Sequence, residues 1–168
     1  MGVFLKMSTE VDGLVKKATD LAKADNYIEA LAAIDEAAGL DPQNPKVWDT
    51  RGYINAREGE FEKGVLDLSK SIALRDFEPH PYYIRGDLLL KLGRLEEAAA
   101  DFSRVLELCD HYRSDYYREG AHFFRADVYA RLGKHAEALA DCAHVRDGMQ
   151  TWTDRLRTKE EIIAECKS

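Results

Sequence analysis

Five histidines (His80, His111, His122, His135, His144), three cysteines (Cys109, Cys142, Cys166) and 31 acidic residues are the side chains with which this chain could do chemistry. A metal site needs its ligands at close, repeated spacing, and a nucleophile needs a base and an orienting group beside it. The histidines show no ligand spacing, and His135 and His144 fall where packing or helix surface accounts for them. There is no CxxC, no glycine-rich phosphate loop and no nucleophile elbow. The sequence therefore predicts no enzyme, no metal and no cofactor. One pattern does carry chemistry. Arg51, Arg85 and Arg125 are each followed sixteen residues later by an aspartate: Asp67, Asp101 and Asp141. Where Lys17 takes the arginine's place, Ala33 takes the aspartate's. A guanidinium and a carboxylate match as a two-pronged pair. The spacing predicts three structural ion pairs, partly buried and bidentate.

Those pairs need elements that bring residues sixteen apart together, and the chain supplies them by repeating itself. "WDTRGYINAREGEF" (48–61) lies over "YYIRGDLLLKLGRL" (82–95), with Gly52 on Gly86 at an offset of 34. "HFFRADVYARLGKH" (122–135) continues the columns at an offset of 40, and "LVKKATDLAKADNY" (14–27) is an earlier, diverged copy. Each unit reads as two helices. The first carries a small residue (Ala18, Gly52, Gly86, Ala126) and ends at a stop (Asp25, Gly59, Gly93, Gly133) suited to a left-handed C-cap. The second opens with acids and sets a small residue (Ala30, Gly64, Ala98, Ala138) four before an apolar one (Ile34, Leu68, Phe102, Cys142). Small against large on facing helices predicts close antiparallel packing.

A 34-residue helix–turn–helix with this order of residues resembles the tetratricopeptide repeat. The copies at 47–74 and 82–108 carry the resemblance best, and "NYIEALAAIDEAAGLDPQN" (26–44) is a typical second half. The resemblance implies an all-α fold, a right-handed α-solenoid of about four repeats. The expected boundaries are a tail at 1–10, repeats at 11–44, 45–78, 79–112 and 119–148, and a capping helix at 149–168. That helix shows an apolar stripe at Trp152, Leu156, Ile163 and Cys166, and a capping box at Thr158 and Glu161. The insertion 113–118 brings Tyr112, Tyr116 and Tyr117 towards Phe123 and Phe124. With Ser114 as N-cap, the first helix of the last repeat is expected to begin early.

In this family the first helices line a concave groove that holds a peptide. Carried over column by column, the resemblance places Tyr53, Arg57, Tyr83, Asp87 and Lys91 in that groove. From the last repeat it adds Phe123, Phe124, Asp127 and Arg131. Tyrosines, phenylalanines and arginines are frequent anchors of binding hot spots. Co-chaperone members grip a terminal carboxylate with a lysine–asparagine, asparagine, lysine–arginine set. Here the corresponding residues are Val15, Thr19, Thr50, His80 and Ile84, or one repeat on Asp49, Tyr53, Ile84, Gly120 and Phe124. Neither set matches.

The expected function is a protein–protein interaction module, a scaffold or adaptor binding a protein or peptide. The competing reading is a dedicated inhibitor or chaperone of one partner, such as a bacterial toxin-immunity protein or a secretion chaperone. A formal charge of −7 speaks against nucleic acid or an anionic membrane as partner. The start "MGVFLKMSTE" is too short for a secretory hydrophobic region. An odd number of cysteines without paired spacing suits a reducing cytoplasm. A monomer is expected, with the C-terminal helix as the surface through which a dimer would form.

Overall fold

The structure, a computed structural model, describes the backbone of residues 2–152 and 156–168 and the side chains of 8–151 and 156–168. It divides into two compact units, one ending at Asp76 and the other beginning at Phe77. The first holds α1 (Gly2–Lys23), α2 (Tyr27–Leu40), α3 (Pro45–Glu58) and α4 (Phe61–Leu74). The second holds α5 (Pro79–Lys91), α6 (Leu95–Tyr112), α7 (Arg118–Arg131), α8 (His135–Cys142), β1 (Gln150–Trp152), β2 (Leu156–Thr158) and α9 (Lys159–Lys167). The fold is an all-α helical repeat, with one short antiparallel hairpin near the C-terminus.

The helix ends follow from local chemistry. Pro45 and Pro79 open α3 and α5 at positions where an N–H would be unsatisfied anyway, and the Asn44 side chain accepts from the Lys46 N–H at 3.1 Å. Each first helix closes with the same six-to-one backbone bond. Asn26 donates to the Leu21 carbonyl, Glu60 to Asn55, Arg94 to Leu89 and Lys134 to Tyr129, at 2.8–3.0 Å. The residue at the bend is left-handed, with φ +90° at Gly59 and +57° at Asp25. Aspartate tolerates this region better than most side chains do, which is how the first repeat turns without glycine.

Within each repeat the helices meet at a small residue. A methyl group on Gly52 would stand 2.7 Å from Leu68 Cγ, and one on Gly86 would stand 3.0 Å from the Phe102 ring. Leu68 and Phe102 are fully buried. Val11, Ala18, Ala30, Ile34, Val47 and Ile54 continue the core of the first unit. In the second unit the Phe102 and Phe124 rings stack at 5.4 Å.

Three expectations are corrected. Helix α1 already runs from Gly2, so no break separates a tail from the first repeat at residue 11. The insertion does not start α7 early at Ser114. It lengthens α6 to 18 residues, because the left-handed bend falls at Arg113 (φ +51°) and the Ser114 N–H closes α6 on the Cys109 carbonyl. Residues 149–168 are not one helix: the β1–β2 hairpin comes first, and α9 begins at Lys159 behind the Thr158–Glu161 capping box. The buried residues of α9 are Ile162 and Cys166, whereas Leu156 is exposed; the Trp152 side chain lies outside the described residues.

Gly52→Ala should lower stability by about 1–2 kcal/mol, overpacking outweighing the gain in helix propensity. Gly13→Ala, which meets nothing within 4 Å, should raise stability by up to about 1 kcal/mol. Urea midpoints at constant slope check both.

Candidate partner-binding surface

The predicted groove residues sit on first helices, and their surroundings differ between the units. In the first unit Tyr53 is half-buried and Arg57 exposed, both on α3. Arg57 donates to the Tyr53 hydroxyl at 3.0 Å and to the Asp25 carboxylate at 2.7 Å, which also accepts from the Tyr27 hydroxyl at 2.6 Å. The Tyr27 hydrogen bond, and then Arg57, hold the Asp25 carboxyl below its ordinary value. A guanidinium and two phenols are thereby fixed in place at a solvent-facing edge.

In the second unit Tyr83 is half-buried. Its ring meets Phe102 and Phe124 edge-on at 6.0 and 5.7 Å and Tyr117 at 5.1 Å, and its hydroxyl lies where a side chain on Gly120 would be. Burial, with the Asp87 charge beside it, pushes the Tyr83 phenol up to about 12. Lys91 pairs with Asp87 at 2.7 Å. Burial pushes the Asp87 carboxyl up despite that partner.

The last repeat departs from expectation. Phe123 is 1% exposed, Phe124 7% and Asp127 0%, so these three offer a partner no surface. Phe124 belongs to the aromatic stack on Phe102. Asp127 is covered by the C-terminal segment: Arg157 of β2, itself buried, donates to it at 2.6 Å and to Glu165 of α9 at 2.7 Å. Arg131 approaches the other Asp127 oxygen at 2.9 Å. Arg157 escaped the sequence reading because 149–168 was read with helical period. A strand turns alternate side chains to opposite faces, and here Arg157 is buried while Leu156 is exposed. The signal available was Asp127 itself, a carboxylate in the run "AHFFRADVYA" whose burial demands cations.

The arginine–aspartate pairs are all two-pronged. Arg51 donates to Asp67 at 2.9 and 2.6 Å, Arg85 to Asp101 at 2.8 and 2.7 Å, and Arg125 to Asp141 at 2.8 and 2.8 Å. Arg51 and Arg125 also reach the second helix of the preceding repeat, at Asp35 and Ser103, each at 2.9 Å. Sequence reasoning missed two helpers. Asn55 donates to Asp67 at 2.8 Å, and Nδ1 of His122 stands 2.8 Å from Asp141, where an N–H donates. The effect of His122 shows in the carboxyl it serves. Burial pushes Asp101, served by Arg85, above its ordinary value. Burial pushes Asp141 the same way, but hydrogen bonds from Arg125 and His122 outweigh it and hold that carboxyl low.

Among the described residues, no group of three or more His, Cys, Asp or Glu side chains is placed to hold a metal ion, and no helix is long and apolar enough to cross a membrane. The cysteines are free and buried, and burial pushes the Cys142 thiol up to about 11.

Tetratricopeptide repeat family profiles match residues 79–112 and 120–140. DnaJ homolog subfamily C member 3 of Mus musculus is 28% identical over 169 residues, covering 95% of this chain and 33% of its own length. RNA polymerase II-associated protein 3 of Homo sapiens is 32% identical over 95 residues, 56% of this chain and 14% of its own. The chain spans a third or less of the length of the curated relatives it matches. Among solved structures, the first repeat domain of Spaghetti (RPAP3), bound to the HSP90 peptide SRMEEVD, is 26% identical with a TM-score of 0.68. It covers 74% of this chain and 94% of that one. MamA, 17% identical with a TM-score of 0.72 over 85% of this chain and 81% of that one, shares the fold.

Arg157→Ala should cost about 3 kcal/mol, because it leaves Asp127 buried with one cation fewer; a denaturant titration measures it. The lowered Asp141 carboxyl stabilises the fold fully above its unfolded value of about 3.9 and stops doing so as pH falls through its folded value. Stability measured from pH 6 to pH 2 should therefore fall less steeply in Asp141→Asn than in the parent chain.

Proposed function

Because the chain belongs to the tetratricopeptide repeat proteins, we propose that it is a protein–protein interaction module and not an enzyme. Its partner is a peptide or protein segment held against the first helices. The observation that carries this reading is the cluster at the edge of the first unit, where Asp25 and Tyr53 hold the Arg57 guanidinium at the surface. Prepaid ordering of a long side chain lowers the cost of binding, and tyrosine and arginine are frequent hot-spot residues. The likeness to a domain solved with an HSP90 peptide supports a peptide partner. The carboxylate-gripping set of that class has Val15, Thr19, Thr50, His80 and Ile84 in its places here, so recognition rests on side chains along the segment and not on a free C-terminus. In the second unit the accessible contribution narrows to Tyr83, Asp87, Lys91 and Arg131, since Phe123, Phe124 and Asp127 are covered.

A cytoplasmic home and a monomeric state complete the proposal. Free buried cysteines suit a reducing compartment. Ile162 and Cys166 of α9 are already buried within the chain and Ile163 is half-buried, which leaves that helix little with which to join a second copy.

The test is a partner recovered by affinity purification from the native host, with affinity then measured by calorimetry. Tyr53→Ala and Arg57→Ala should each weaken binding at least tenfold with helicity unchanged, and amidating the partner peptide's C-terminus should change nothing. Unchanged affinity in both variants would overturn the reading.

A further inference from the structure

The second helices of the first unit carry a feature that the groove does not use. Ile28 on α2 is 79% exposed and Leu66 on α4 is 71% exposed. The chain's own repeats show that neither column calls for a large apolar residue. The positions equivalent to Leu66 hold Ala32, Ala100 and Ala140, and those equivalent to Ile28 hold Glu62, Glu96 and Ala136. Leu66 also walls an open cavity of about 380 Å³, with Leu31 on the α2 side. Ile28 precedes Leu31 by three residues and shares its helix face. The floor is the Arg51–Asp67–Asn55 network, already hydrogen-bonded within itself. Asp35, 59% exposed at its side chain although Arg51 reaches it at 2.9 Å, stands at the α2 rim, and Lys63, paired with Glu60 at 3.1 Å, lines the α4 side.

Charge says what would fit. Helix α2 carries Glu29, Asp35 and Glu36, all exposed, and no lysine or arginine. With Lys63 neutralised by Glu60 on the α4 side, the charge left over lies on α2, and an apolar slot with acids along that one side is complementary to a segment that pairs an aliphatic side chain with a cation facing α2. We propose that the cavity between Leu31 and Leu66 is a second docking surface, taking a basic partner segment that inserts a leucine-, isoleucine- or methionine-sized side chain. Its lysine or arginine, three or four residues away, lies on Asp35 and Glu36. The surface is separate from the Tyr53–Arg57 edge, so one chain can hold two segments at once.

The probe is a phage-displayed random dodecapeptide library, selected on the full chain and counter-selected on Leu66→Glu, a change at an exposed position that circular dichroism should find fully helical. The enriched peptides should carry an aliphatic residue with lysine or arginine three or four residues away. Labelled for fluorescence anisotropy, they should bind at least tenfold more weakly to Leu66→Ala, more weakly to Asp35→Asn and at raised salt, and unchanged to Tyr53→Ala. That last variant separates this surface from the proposed groove. Enrichment of acidic peptides, no enrichment, or affinity indifferent to Leu66→Ala would overturn the proposal. So would sedimentation showing a dimer of the parent chain that Leu66→Glu dissolves, since the occupant would then be a second copy.

Discussion

Two helices can pack closely only where one of them withdraws its side chain, and the second and third repeats are organised around such a place. Gly52 against Leu68 and Gly86 against Phe102 leave no room for a single added methyl group. That close approach sets the distance across which an arginine on one helix can reach an aspartate sixteen residues later on the other. The reach gives two parallel hydrogen bonds at 2.6–2.9 Å in the second, third and fourth repeats alike. Steric fit comes first and the charge pair follows from it. A buried pair adds less net stability than its geometry suggests, but it penalises any register that leaves either partner alone.

The residues that break the repeat pattern turn out to serve these pairs. Asn55 stands where the other copies have Leu21, Leu89 and Tyr129, and it gives Asp67 another donor. His122 stands where other copies have a large apolar or aromatic residue, and it does the same for Asp141. Asp101 is bonded twice by Arg85, and burial keeps its carboxyl high, whereas the extra donor helps to hold Asp141 low. Deviations of this kind look like decay in a sequence alignment of the repeats. In three dimensions they adjust how firmly each carboxylate is held.

Periodic features of the fold were legible because they report local physics. Glycine stops, first-turn prolines and the sixteen-residue pairing all depend on neighbours within one helical hairpin. What was not legible depends on residues far apart or on the choice of period. Phe123 and Phe124 have the right chemistry for a groove, yet the core of the second unit leaves them no surface. Arg157 went unnoticed because a helical period over 149–168 says nothing about which residues of a hairpin turn inward. The insertion's effect hinged on where a left-handed residue would fall, and a bend at Arg113 hands the extra residues to α6 and not to α7. Column position places Tyr53 and Arg57 on one first helix, whereas their joining to Asp25 and Tyr27 depends on the bend at Asp25.

The Arg157–Asp127 contact spans thirty residues, against sixteen for each pair inside a repeat. Closing the longer loop costs only about 0.6 kcal/mol more, so the difference at equilibrium is small. During synthesis it is large in time. The earlier hairpins can neutralise their aspartates as soon as their own second helix has emerged, while α7 must wait with Asp127 short of a partner until residues 157–165 leave the ribosome. Ribosome pausing in that interval would hold the nascent chain with one finished half and one half whose α7 carboxylate still lacks the cover of β2 and α9, the state in which a chaperone has most to recognise.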